Sequence, residues 1–340
     1  MLPTFDSILG QSEAIAWLTS AYRSDRLPHG LIFAGPPGVG KALTARALAT
    51  LYLCPNAKGV TPCGTCDSCR LMEAENHPDF ARVYRQLRRI EKKDAAARDL
   101  SIDVIRQYLL APAGLKPALG HGRVFVVEEA ELMNAAAQNS LLKTLEEPFG
   151  RTLIILLSDQ PESLLPTIRS RTQTVRFHAL DKAIVTRELQ SRGIDPATAK
   201  QAADLAEGSL GTAMQWIEDG VIPFAQQLER HLDDLLAGRP TDDLAEFFKT
   251  AAEAYAKKQV EHDENVSLDQ AKRESYSLYL RLAGQRFRRL LRESDDARQL
   301  DLACNAIETI ARADDYLDGN VSISIIFQQL SLTLSRLTAA

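Results

Sequence analysis

One short stretch constrains this chain more than any other. Gly35, Pro36, Pro37, Gly38, Val39, Gly40 and Lys41 stand between an apolar run, Leu31–Ala34, and an Ala- and Leu-rich run, Ala42–Leu53. The pattern G-x-x-x-x-G-K curls the backbone so that its N–H groups face phosphate oxygens, and the helix that follows adds its positive end. Lys41 would reach the outer phosphates. A plain Gly/Pro-rich turn is the competing reading, but a strand before it and a helix after it count against that. The pattern stops one residue short: Ala42 stands where a Ser or Thr hydroxyl normally ligates magnesium. The stretch therefore points to a nucleotide-binding fold and leaves open whether ATP or ADP still binds.

The rest of the first half alternates in the same way. Ser12 can cap a helix over Ala14–Tyr22. Val124–Val127 and Leu153–Leu157 read as further buried strands, with an amphipathic helix through Leu132–Leu145 that Pro148 stops. Uninterrupted apolar strands alternating with helices imply a parallel sheet covered on both faces. Gln86–Arg98 is charged without a clear period and reads as an exposed connection. Beyond Leu180 strand signals nearly vanish. Ala183–Ser191, Pro196–Glu207 and Thr212–Ile217 read as three short helices, broken at Gly193 and Gly208. From Pro223 onward the chain reads as helical, with breaks near Gly238–Pro240, Asp295 and Gly319–Asn320. The expected domains are 1–178, 179–220 and 221–340. No internal repeat is visible.

Three further sets of residues bear on chemistry. Val124–Val127 ends in Glu128 and Glu129. In such folds the first acid orients magnesium through water and the second polarises the attacking water. The first is usually Asp, and Glu128 is one methylene longer. A solvated acidic pair capping the next helix is the alternative. Cys54, Cys63, Cys66 and Cys69 offer four thiolates within 54–69. That set suits tetrahedral Zn2+ with bonds of about 2.3 Å and no open position, hence a structural metal. Redox disulfides or unrelated buried thiols are the alternative. His77 is near, but four cysteines fill the shell. Cys304 stands alone and reads as a buried thiol. Finally, Ser158 follows the strand Leu153–Leu157, where a polar group can sense a γ-phosphate, and Arg171 lies just beyond it. Arg171 could reach into a neighbour's site or form an ordinary surface pair.

Composition sets limits. With 340 residues, 45% hydrophobic and 25% charged, the chain is long enough for two or three ordinary domains. A net charge of −5 argues against nucleic-acid binding by the chain as a whole. The basic stretch Arg281–Arg292, with Arg286, Arg288 and Arg289, reads as a solvated face, an oligomer contact or a local DNA contact. The N-terminus has no signal-peptide pattern, and no apolar run is long enough for a membrane span. Clustered cysteines fit metal binding in a reducing cytoplasm.

Taken together these residues resemble the AAA+ clamp loaders of the bacterial DNA polymerase III holoenzyme. The resemblance rests on Phe5–Gln11, on His29, Gly30 and Leu31 before the loop, and on the cysteine module after the loop's helix. It rests also on Asn139–Pro148 and on Ser170, Arg171 and Thr172, where the family usually shows Ser-Arg-Cys. It covers 1–178 and continues weakly through 179–220 and around Asn320–Gln328. What it implies is an α/β P-loop domain with an inserted zinc module, a small helical lid and an all-helical collar that joins five subunits. It implies motor subunits of gamma or tau type that hydrolyse ATP, a delta subunit that opens the sliding clamp, and delivery of the clamp to primed DNA. The holoenzyme is a DNA-directed DNA polymerase, a nucleotidyltransferase complex. The resemblance further makes Arg171 a finger acting in trans and Ser158 a sensor. Ala42, Glu128, and Gly211 in place of a lid arginine all depart from the motor pattern. The expectation is a stator whose own ATPase is weak or absent. An active gamma/tau-like motor and a stand-alone AAA+ ATPase are the alternatives.

Overall fold

In a computed structural model the described residues are 2–87, 99–239, 244–262, 266–317, 319 and 322–339. Most of the expected connection Gln86–Arg98, and parts of the breaks at Gly238–Pro240 and Gly319–Asn320, lie outside them. The chain forms two units, Met1–Ala213 and Met214–Ala340.

The first unit is built on five parallel strands: β1 (Gly30–Ala34), β2 (Phe80–Val83), β3 (Arg123–Val127), β4 (Thr152–Ser158) and β5 (Gln173–Arg176). Their order is β2-β3-β4-β1-β5. The central strands β1, β3 and β4 are buried at every position. Because side chains alternate, each of them feeds two cores. Leu31, Phe33, Val124, Val126, Leu153 and Ile155 join the core containing α1 (Ser12–Arg23) and α2 (Lys41–Leu53). Ile32, Ala34, Phe125, Val127, Ile154 and Leu156 join the opposite core, with Leu141 and Leu145 of the helix Ala135–Glu146. Each fully buried side chain of this kind contributes about 1.5–3 kcal/mol relative to exposure.

Several boundaries differ from the sequence reading. Ser12 is the first residue of α1 rather than its cap, and the preceding Gln11 makes no side-chain cap. Gln11 instead bridges Val39 O and His178 O through Nε2 at 3.1 and 2.7 Å. The helix before Pro148 begins at Ala135, where Asn134 caps Ala137 N–H at 2.9 Å. The strands β2 and β5 are additions. Their sequences, FARV and QTVR, mix exposed and buried positions, as edge strands do.

The second unit is helical among the described residues: Val221–Leu236, Leu244–His262, Leu268–Glu293, Ala297–Leu317 and Ile323–Ala339. Its interior includes tilted aromatic pairs, with Phe327 4.8 Å from Phe248 and 4.7 Å from Tyr276 between ring centroids. Cys304 is exposed, not buried. The buried stripe of its helix runs through Ala303, Ala306, Ile310, Ala313 and Leu317, and Cys304 is one residue off it. Of the basic stretch, Arg286 pairs with Asp233 (2.7 Å) and Arg289 with Glu229 (2.7 Å), both on Val221–Leu236. No described helix is long and apolar enough to cross a membrane.

Candidate functional site

The loop 35–40 leaves the end of β1 and Gly40 caps α2, so Lys41 opens the helix. Its side chain is only 8% exposed. The ammonium donates to Gly35 O (2.5 Å), Pro36 O (2.6 Å) and Asp159 Oδ1 (2.7 Å). Asp159 follows Ser158, the last residue of β4, which lies in register with Ala34. Ser158 is buried at this junction. Its carbonyl accepts from Gly35 N–H (3.2 Å), while its hydroxyl accepts from Gln160 N–H (3.2 Å). The residue that meets the lysine is thus Asp159, which the sequence reading passed over. An acid immediately after the sensor position was the available signal.

The loop is also held from the segment expected as a lid. Gly211 N–H donates to Gly38 O at 2.9 Å. A Cβ at Gly211 would stand 2.8 Å from that oxygen, so no side chain fits there without displacement. Gly38 has φ +68°, and a Cβ on it would meet Ser209 Oγ at 2.3 Å and Thr212 Oγ1 at 2.5 Å.

The acids at the end of β3 are engaged as well. Arg82 Nε, from β2, donates to Glu128 Oε1 at 2.7 Å. Arg85 holds Glu129 with two bonds, 2.8 and 3.3 Å, and Glu129 is in the left-handed region at φ 49°. Ala42 is exposed and lines a cavity of about 470 Å³ together with Arg46, Met72, Arg82, Tyr84 and Glu128.

At the other end of α2, Cys54 forms its C-cap. The four sulfurs of Cys54, Cys63, Cys66 and Cys69 lie within 4.8 Å of one another. The pairs Cys54–Cys66 and Cys63–Cys69 are 3.9 and 4.0 Å apart. A ZnS4 tetrahedron with 2.3 Å bonds has edges of about 3.8 Å, so the set fits zinc. Backbone N–H groups of Cys63, Cys66 and Cys69 point at the sulfurs of Cys54, Cys63 and Cys66 at 3.3, 3.4 and 3.4 Å. Donors from the backbone at Thr65 and Cys66 bring the Cys63 thiol down to about 6, while burial pushes Cys69 up. His77 is not a fifth ligand. Its Nδ1 accepts from Asp79 N–H (3.0 Å) and its Nε2 meets Ser68 Oγ (2.9 Å), which donates to Leu53 O (3.0 Å). Burial lowers its basicity.

Arg171 lies at the opposite end of the sheet from Lys41. Its carbonyl oxygen would be 3.3 Å from a Cβ on Gly30, the first residue of β1. Four strand steps, about 13 Å, separate Gly30 from Ala34 at the loop end. The guanidinium is kept there by Glu146 (Nε–Oε1 2.6 Å) and Thr167 O (3.1 Å). It is 35% exposed.

A glycine loop on a parallel sheet, with a four-cysteine cluster after its helix and a helical C-terminal region, defines a P-loop α/β protein. The family described as "DNA polymerase III, delta subunit" matches residues 10–181. Among relatives, the DNA polymerase III subunit delta' of Bacillus subtilis is 33% identical over 195 residues, 57% of this chain and 56% of that one. Subunit delta' of Pseudomonas aeruginosa is 34% identical over 211 residues, 61% of each. Subunit tau/gamma of Haemophilus influenzae is 29% identical over 242 residues, 69% of this chain and 33% of that one. A solved gamma subunit-related protein of Thermotoga maritima aligns at 17% identity and TM-score 0.45, covering 97% of this chain and 100% of that one. The chain spans between a third and six tenths of the length of the three named relatives. It belongs to the DNA polymerase III delta subunit family.

Proposed function

We propose that this chain is the stator of an AAA+ clamp loader and lends Arg171 to the nucleotide site of a neighbouring motor subunit. The observation that carries the reading is the engagement of its own catalytic positions. Lys41 is held by Asp159, Glu128 by Arg82 and Glu129 by Arg85, while Ala42 has no hydroxyl for magnesium. Such a site lacks a free base and a complete metal shell, so its own hydrolysis is weak or absent. Arg171 differs in standing away from its own loop. Its pair with Glu146 is half-exposed, as the Arg82–Glu128 pair is, and worth no more than about 1 kcal/mol, so a phosphate can replace the carboxylate.

In this reading residues 1–178 are the nucleotide-fold domain, 179–220 the lid and 221–340 the collar. Ser158 keeps the sensor position. Cys54, Cys63, Cys66 and Cys69 hold a structural Zn2+ at the far end of α2, about 20 Å from Lys41, where it cannot act on a phosphate. The partners are motor subunits of gamma/tau type and a delta subunit in a hetero-pentamer, with the sliding clamp and primed DNA reached through the ring.

Arg171→Ala in the assembled complex is the test. Supplying such a guanidinium is worth about 10³–10⁵ in rate in the GTPase case, so the adjacent motor site should slow by about 10³ while assembly is unchanged. Wild-type hydrolysis by the variant complex would sink the proposal. The similarity to tau/gamma chains favours one other reading, an active motor. Magnesium-dependent turnover by the isolated chain, abolished by Lys41→Ala, would establish it.

A further inference from the structure

The ammonium of Lys41 has three protons and three acceptors within 2.7 Å, and one acceptor is a carboxylate from 118 residues away. A phosphate entering the loop must displace that carboxylate. We propose that Asp159 sets the ligand selectivity of the loop: it is a built-in anionic competitor that excludes nucleoside di- and triphosphates from Lys41. The inference rests on the reading above that this loop does not turn nucleotide over, and it adds a cause beyond missing metal ligands.

Two features make the competitor effective. Asp159 is fixed directly after β4, whose Ser158 pairs in register with Ala34 at the mouth of the loop. Its carboxylate therefore meets Lys41 with little loss of freedom, at an effective concentration far above that of a free ligand. The loop is also held on a second side by Gly211 N–H, which donates to Gly38 O at 2.9 Å, and by the Thr212 hydroxyl, which donates to Pro37 O at 3.5 Å. The loop thus has less freedom to spread around a polyphosphate.

Equilibrium dialysis of the isolated chain against ATP in magnesium-free buffer tests this. Asp159→Asn keeps the shape and removes the charge, and Asp159→Ser is a second, smaller replacement at this partly exposed position. At least one of them should bind ATP tenfold or more tightly than the unaltered chain, and adding Lys41→Ala should abolish the gain. Equal affinity in all three chains overturns the proposal, as does a gain that survives Lys41→Ala. Without magnesium the measurement reads binding alone. Turnover in magnesium by the unaltered chain would overturn the stator reading while leaving this result separately decided.

Discussion

The two ends of helix α2 are built by opposite routes. At the C-terminal end, Cys54 meets three sulfurs that all come from 54–69, and backbone N–H groups of the same segment surround them. At the N-terminal end, Lys41 meets Asp159 just after β4, and its loop meets Gly211 from a distant helix. Nearby, Glu128 and Glu129 are engaged by Arg82 and Arg85. The cysteine end is local chemistry and carries an intact pattern. The phosphate end carries a nearly intact pattern whose charges are engaged by remote residues. A motif therefore reports its own chemistry only as far as its partners are near in sequence.

The largest expected effect tests the local end. Cys69 is fully buried, and Cys69→Ser should lower stability by more than about 4 kcal/mol in denaturant unfolding, as loss of a structural metal does. An unchanged midpoint would show that packing alone holds the module and would break the comparison.

Gly211→Ala probes the remote end. Alanine normally favours a helix over glycine by about 1 kcal/mol. Here the added methyl would press on Gly38 O at 2.8 Å and Gly38 Cα at 3.1 Å, so a net loss of about 1–3 kcal/mol is expected in thermal unfolding. A gain in stability would show the contact with the loop to be slack.

The smallest effect is expected of Ala42→Thr. The hydroxyl is restored, but Glu128 and Glu129 keep their arginines, so phosphate release assays should detect no magnesium-dependent turnover. Turnover in this single variant would locate the whole defect at residue 42 and remove the remote half of the comparison.

Much of the frame was legible. The apolar runs containing β1, β3 and β4 stand out because buried parallel strands need no polar positions. FARV and QTVR escaped because short edge strands are half solvated and lack that signature. Cys304 was misplaced because a thiol's apolarity says nothing about its angle on a helix, and its neighbours Ala303 and Ala306 hold the buried stripe. At the loop, the missing hydroxyl of Ala42 was visible, whereas Asp159 reads as one more strand-end acid until β4 is set beside β1.

By itself the sequence determined the phosphate-loop pattern, the thiolate spacing and the absence of a side chain at position 211. These are properties of residues and of short stretches, fixed by covalent geometry and by the alternation of apolar and polar positions. Only the tertiary structure decided that Lys41 is neutralised by the residue after β4, that both acids after β3 face arginines, and that Arg171 lies at the far end of the sheet. Hydrogen bonds and charge pairs act over a few ångströms, and the order of strands in the sheet selects which distant residues come that close.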